Sequence, residues 1–171
     1  MKSNKTIIFL LFMITLSACS SFRKTNLETY LISNNGSGPL QKVVLLNTVK
    51  AEGKTLRNRI ESEVRAIVPG LAQRAGVRLI KDTRASEAQF LVLDIILSEK
   101  DFTRNLDTLN SISAVLKFSG TQKGEDILTI IYTEESAETL ESHYYLHAIL
   151  KKLFKEYTQF RKYLEKGNRK K

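Results

Sequence analysis

The chain has 171 residues, with 27 Lys+Arg against 18 Asp+Glu, one Cys, two Pro and no Trp. That length supports one domain, and 42% apolar with 26% charged residues is enough to build a core. A collagen-like, disulfide-rich, low-complexity or polytopic membrane protein is excluded, and a lone Cys closes neither an internal disulfide nor a multi-cysteine zinc site.

The amino terminus carries the strongest signal. Lys2 and Lys5 make a positive start, Ile7 to Ile14 are consecutively apolar, and small residues follow at Ser17 and Ala18. This run is far short of the ~20 residues that cross a bilayer, so residues 1–18 read as a secretory signal peptide. The only Cys, Cys19, stands where cleavage would fall. Leu16-Ser17-Ala18-Cys19 resembles the lipobox of bacterial lipoproteins. That resemblance implies a diacylglycerol on the Cys19 thiol, cleavage before Cys19 and often acylation of the new amino group. Two or three chains anchor a protein stably where one is marginal. Ser20 rather than Asp after the Cys leans towards the outer membrane over the inner one.

Residues 19–40 read as lipid anchor and tether, with breakers clustered at Asn34-Asn35-Gly36-Ser37-Gly38-Pro39 and a short strand allowed at Tyr30-Leu31-Ile32. A domain is expected over 41–166 and a basic tail over 167–171. Lys42–Asn47 predicts a buried strand. Leu56, Ile60, Val64, Ile67 and Leu71 recur at helical spacing; Pro69-Gly70 should break or kink that helix, and Gly76 should terminate it. Val77–Ile80 predicts a second strand and Asp82–Ala88 a short helix or turn. Phe90–Leu97 is the most hydrophobic strand, expected at the centre of the sheet and covered on both faces. Polar residues 100–110 read as a long loop. The alternation of Ser111–Phe118, the turn Gly120–Gly124 and the strand Ile127–Thr133 predict a hairpin. From Ser136 or Thr139 a long helix should bury Leu146, Ile149, Leu153, Tyr157, Phe160 and Leu164. The order β-α-β-(α)-β-β-β-α predicts an α+β fold: a mixed sheet of about five strands with two main helices on one face.

Chemistry-bearing residues are few. His143 and His147, four apart, share a helix face as two ligands would, but Tyr144 stands where a metalloprotease pattern needs an acid. A third ligand is missing on that face, so no metal or cofactor is expected. Asp94 is a candidate buried carboxylate, its plain alternative being a residue that pairs on a sheet face or reaches solvent. Glu134-Glu135 and Glu125-Asp126 read as solvated strand ends. No nucleophile elbow or phosphate loop is present, and no catalytic residue is expected.

Charge is uneven. From Cys19 to Leu150 sixteen basic residues balance sixteen acidic ones, while Lys151–Lys171 holds nine basic residues against Glu156 and Glu165. Lys151, Lys152, Lys155, Lys162 and Lys166 are the candidate contacts to an anionic surface, and a solvated helix face is the plain alternative. Tyr145 and Tyr163 are the expected exposed aromatics of this helix. Nucleic acid is not an expected partner of an exported protein.

The element order is similar to small periplasmic domains of the TolB amino-terminal type, with related folds in the curli-assembly lipoprotein and in lipoprotein activators of penicillin-binding proteins. Val43–Asn47, the Leu56–Ile67 helix and Ala85–Leu93 carry the likeness, with Gln89 where that family usually has Asp. The resemblance implies protein binding rather than catalysis. The combined expectation is a non-enzymatic, lipid-anchored envelope protein that binds or scaffolds an envelope partner. The alternative is a lipid- or lipopolysaccharide-interacting factor that uses the basic helix.

Overall fold

The computed structural model of the protein describes residues 24–31, 42–53, 57–80, 90–104, 107–120 and 126–168. Cys19 and the residues read as a signal peptide, the 82–88 segment, residues 121–124 of the expected turn and the tail beyond 168 lie outside the described residues. Among the described residues there are six strands: β1 (Lys24–Leu31), β2 (Val43–Glu52), β3 (Arg78–Ile80), β4 (Leu91–Arg104), β5 (Asp107–Gly120) and β6 (Asp126–Ser136). The helices are α1 (Arg57–Arg74) and α2 (His143–Asn168).

The sheet order is β1-β6-β5-β4-β2-β3. β2 pairs in parallel with β3 and β4, and β4, β5, β6 and β1 continue as antiparallel neighbours. The fold is α+β with a mixed sheet, as expected, and has one strand more than the five anticipated. That strand is β1, which pairs along its whole length with β6, from Lys24↔Glu135 to Leu31↔Leu128. It lies within the stretch ascribed to the tether.

Strand parity builds the core. Leu91, Leu93, Ile95 and Leu97 of β4 are buried together with Ile112, Ala114, Leu116 and Phe118 of β5 and Leu128, Ile130 and Tyr132 of β6. They pack against Ile60, Val64, Val68 and Leu71 of α1 and Leu146, Ile149, Leu153 and Tyr157 of α2 in one cluster. Side chains of opposite parity, such as Val92, Asp94, Ile96 and Ile131, are half-buried on the other sheet face, so β4 is central but covered by helices on one face rather than on both as expected. Burying a Leu or Ile contributes about 1.5–3 kcal/mol, so this one-sided core dominates the stabilisation.

Three local expectations are corrected. α1 runs through Pro69 to Arg74 instead of breaking. Proline in a helix interior costs about 3 kcal/mol, but burial of Leu71, Ala72 and Ala75 beyond it offsets that cost. The 100–110 stretch is the tip of a long hairpin, with Lys100↔Ser111, Phe102↔Leu109 and Arg104↔Asp107 paired across it. The stretch is a paired ribbon rather than a loop, with Lys100, Asp101, Thr103, Arg104 and Thr108 exposed and Leu109 buried. α2 starts at His143, after β6 has continued to Ser136 and a turn has formed at 139–142. Gly76 does terminate α1, with φ +67°. The Val77 amide donates to the Ala72 carbonyl (2.9 Å) and the Gly76 amide to Gln73 (3.0 Å), the Schellman arrangement.

Candidate functional site

Asp94 sits half-buried on the sheet face away from the helices. Its Oδ1 accepts from Asn47 Nδ2 (2.9 Å) and from the Thr48 backbone amide (3.0 Å). The β2–β4 register shifts between Leu46 and Val49, so Asp94 satisfies an amide that the bulge takes out of the ladder. Its cross-strand neighbour Lys117 pairs instead with Asp126 at 3.0 Å. The plain alternative for Asp94 holds in a modified form: it reaches a backbone amide and an Asn rather than a Lys or Arg.

His143 Nδ1 contacts Glu63 of α1, and the His143 and His147 rings lie 6.4 Å apart. The contact joins the start of α2 to α1. Among the described residues no group of three His, Cys, Asp or Glu side chains is placed to hold a metal ion. Beside this corner lies a cavity of about 320 Å³ lined in part by Glu52, Glu99, Asp101, Asn110 and Glu141. Two of its polar groups order the chain: Glu99 accepts from the Leu140 amide (2.9 Å), and Asn110 Nδ2 donates to the Glu138 carbonyl (3.0 Å).

Glu134 corrects the expectation of a solvated strand end, because it is only 3% exposed. Tyr132 and Tyr145 both donate their hydroxyls to its Oε2, Tyr145 at 2.8 Å. Burial first, and the bond to Glu134 second, push the Tyr132 phenol far above its ordinary range, so it stays a neutral donor. Glu134 shares the inward parity of Leu128, Ile130 and Tyr132, and that signal was available in the sequence. Tyr145 is therefore a buried anchor of α2, and Tyr144, 87% exposed, is the exposed aromatic in its place. Tyr163 is exposed, as expected.

The basic segment divides in two. Lys152 Nζ donates to Tyr132 OH (3.2 Å) and lies 5.0 Å from that ring, which ties it to the sheet. Arg161 is buried, and sequence reasoning counted it only as part of the surface charge. Its Nη1 donates to the Gly76 carbonyl (3.1 Å) and its Nη2 to Ala75 (3.2 Å), the open carbonyls at the end of α1. The guanidinium sits 5.9 Å from the Tyr157 ring, which stacks on Phe118 at 4.5 Å. Burial raises the Tyr157 phenol to about 12, against a lowering by Arg161.

Lys151, Lys155, Lys162 and Lys166 remain exposed and form no ion pair among the described residues. With Tyr144, Ala148 and Gln159 they follow one another at steps of three or four, a single stripe on the outer face of α2. Both acids of the helix turn off this stripe: Glu156 accepts from Thr29 of β1 (3.2 Å), and Glu165 lies 3.7 Å from Arg161 Nε. The stripe is thus purely cationic over 151–166, roughly 22 Å at ~1.5 Å per residue.

No family model matches the sequence, and no curated protein matches it. The chain is similar to solved structures. A PelC dodecamer from Paraburkholderia phytofirmans superposes with a TM-score of 0.50 at 13% identity, covering 76% of this chain and 95% of that one. Lipoprotein GNA1162 from Neisseria meningitidis gives 0.43 at 12% identity, over 63% of this chain and 91% of that one. At such identities the likeness extends to the fold alone.

Proposed function

We propose that the protein is a lipid-anchored cell-envelope lipoprotein, held at the periplasmic face of the outer membrane through Cys19, whose α+β domain binds or scaffolds an envelope protein without catalysing a reaction. The observation that carries this is Leu16-Ser17-Ala18-Cys19, with the chain's sole Cys at the end of a positive and then apolar leader. The candidate chemical groups support a binding module in a different way. Asp94, Glu99 and His143 each hold a bulge, a turn or a helix start in place. The same architecture builds a dodecamer in the Paraburkholderia protein, an example of this fold used for assembly.

Mass spectrometry of the mature chain tests the anchor. A first residue Cys19 carrying a diacylglycerol thioether and further acyl mass is expected, and Cys19→Ala should retain the leader and incorporate no labelled palmitate. An unmodified thiol in the wild-type chain overturns the reading. Crosslinking in intact cells followed by capture of the chain then identifies the partner. A saturable turnover abolished by one substitution in the domain would overturn the non-enzymatic part.

A further inference from the structure

We propose that the lysine stripe of α2 is a docking surface for anionic lipid headgroups, which lays the domain flat on the leaflet that holds its anchor. The proposal rests on the lipoprotein reading above and adds an orientation and a ligand class to it.

Charge segregation is the first observation. Lys151, Lys155, Lys162 and Lys166 line one face, while Glu156 and Glu165 face the sheet or Arg161. Stability of the fold does not require this, because a solvated helix is better served by i,i+4 pairs of opposite sign. A one-sign face over ~22 Å is suited to a planar anionic surface, to which each lysine adds attraction within a Debye length.

Reach is the second. Cys19 precedes the first residue of β1, Lys24, by five positions, at most about 17 Å of chain. β1 is joined to α2 through Thr29 and Glu156, so the helix lies one strand away from the anchored terminus. A short leash confines the domain within a few nanometres of the membrane, where a weak electrostatic contact becomes intramolecular. Aromatic placement is the third. Tyr144, 87% exposed, stands at one end of the stripe, and Tyr163, 73% exposed, flanks Lys162 and Lys166 at the other. An apolar ring with a polar tip suits the headgroup level of a bilayer, and the lysine stems can lie along it.

The chain contains no Trp, so Tyr163→Trp introduces a sole reporter at an exposed aromatic site. The full-length lipidated variant is reconstituted in phosphatidylcholine vesicles, with and without phosphatidylglycerol, that contain brominated lipids. A blue shift and quenching of the tryptophan are expected only with phosphatidylglycerol. Adding Lys151→Gln, Lys155→Gln, Lys162→Gln and Lys166→Gln should reduce the quenching about tenfold, and 1 M salt should do the same. The four residues are exposed, and circular dichroism checks that the variant is folded. Equal quenching in both vesicle types, or no response to the four substitutions, overturns the proposal. So does loss of a crosslinked protein partner in the quadruple variant with quenching unchanged, which would make the stripe a protein-binding face. The mass of Cys19 is read on the same preparation, so a failed anchor and a failed stripe are distinguished.

Discussion

The two helices lie on the same face of the same sheet, and their inner stripes are built alike. Ile60, Val64, Val68 and Leu71 of α1 and Leu146, Ile149, Leu153 and Tyr157 of α2 enter one core. Their outer faces differ. On α1 the exposed charges Arg59, Arg65 and Arg74 stand six and nine residues apart and form no continuous stripe, and half-buried Glu61 and Glu63 lie between the first two. Those acids also face inward to other elements: Glu61 accepts from the Ala51 amide (3.1 Å) and Glu63 meets His143. On α2 the outward charges are all lysines. Packing requires the inner stripes and is indifferent to the outer ones, so the one-sign face of α2 is the part of this pair that the fold does not explain. Arg161 belongs with the inner set despite its charge, because it closes the end of α1.

Substitutions can break this division or sharpen it. The largest effect is expected from Leu153→Ala in the inner stripe, fully buried in the core: about 3 kcal/mol lost in urea unfolding, from transfer plus cavity terms. A cost below 1 kcal/mol would place α2 outside the cooperative core. Arg161→Met should cost about 2 kcal/mol, since two carbonyls at the α1 terminus lose their donors. The loss is moderated because Arg161 Nε has no hydrogen-bond partner of its own. If Arg161→Met left stability unchanged, its placement among the packing residues would be wrong.

A smaller effect is expected from alkali. Tyr157 is buried neutral, with its phenol raised from 10.0 to about 12, so the folded state resists ionisation more than the unfolded chain. Stability from this source is complete below pH 10 and declines as pH rises through 12, by about 1 kcal/mol near pH 11. Tyr157→Phe keeps the stack on Phe118 and should remove that component of the pH slope in denaturant melts. The smallest effect belongs to the outer stripe. Each of Lys151→Gln, Lys155→Gln, Lys162→Gln and Lys166→Gln should change stability by less than about 0.5 kcal/mol. A large thermal shift there would show that the lysines serve the fold after all.

Much of this architecture is legible in the chain itself. The alternation of Ser111–Phe118, the three-and-four spacing of both helices and the left-handed glycine at 76 are local signals, read over a few residues. Polarity misled where it stood for location. The 100–110 stretch is polar yet paired as strand, and Glu134 is polar yet buried because two phenols meet it. Of the candidate site, the four outer lysines follow from helical spacing, whereas removing Lys152 and Arg161 from that set required their contacts. Choosing Tyr144 over Tyr145 as the exposed ring required the rotation of α2 on the sheet.

The sequence by itself determined the helical and strand periods, and therefore the fold class, because these depend on neighbours one to four residues apart. Tertiary structure alone decided that residues 24–31 close the sheet against β6, that Thr29 meets Glu156, and that Arg161 caps a helix 85 positions earlier. Hydrogen-bond partners so distant along the chain leave no periodic trace in it. They are selected only when the core brings two surfaces together and each buried polar group must find what is within reach.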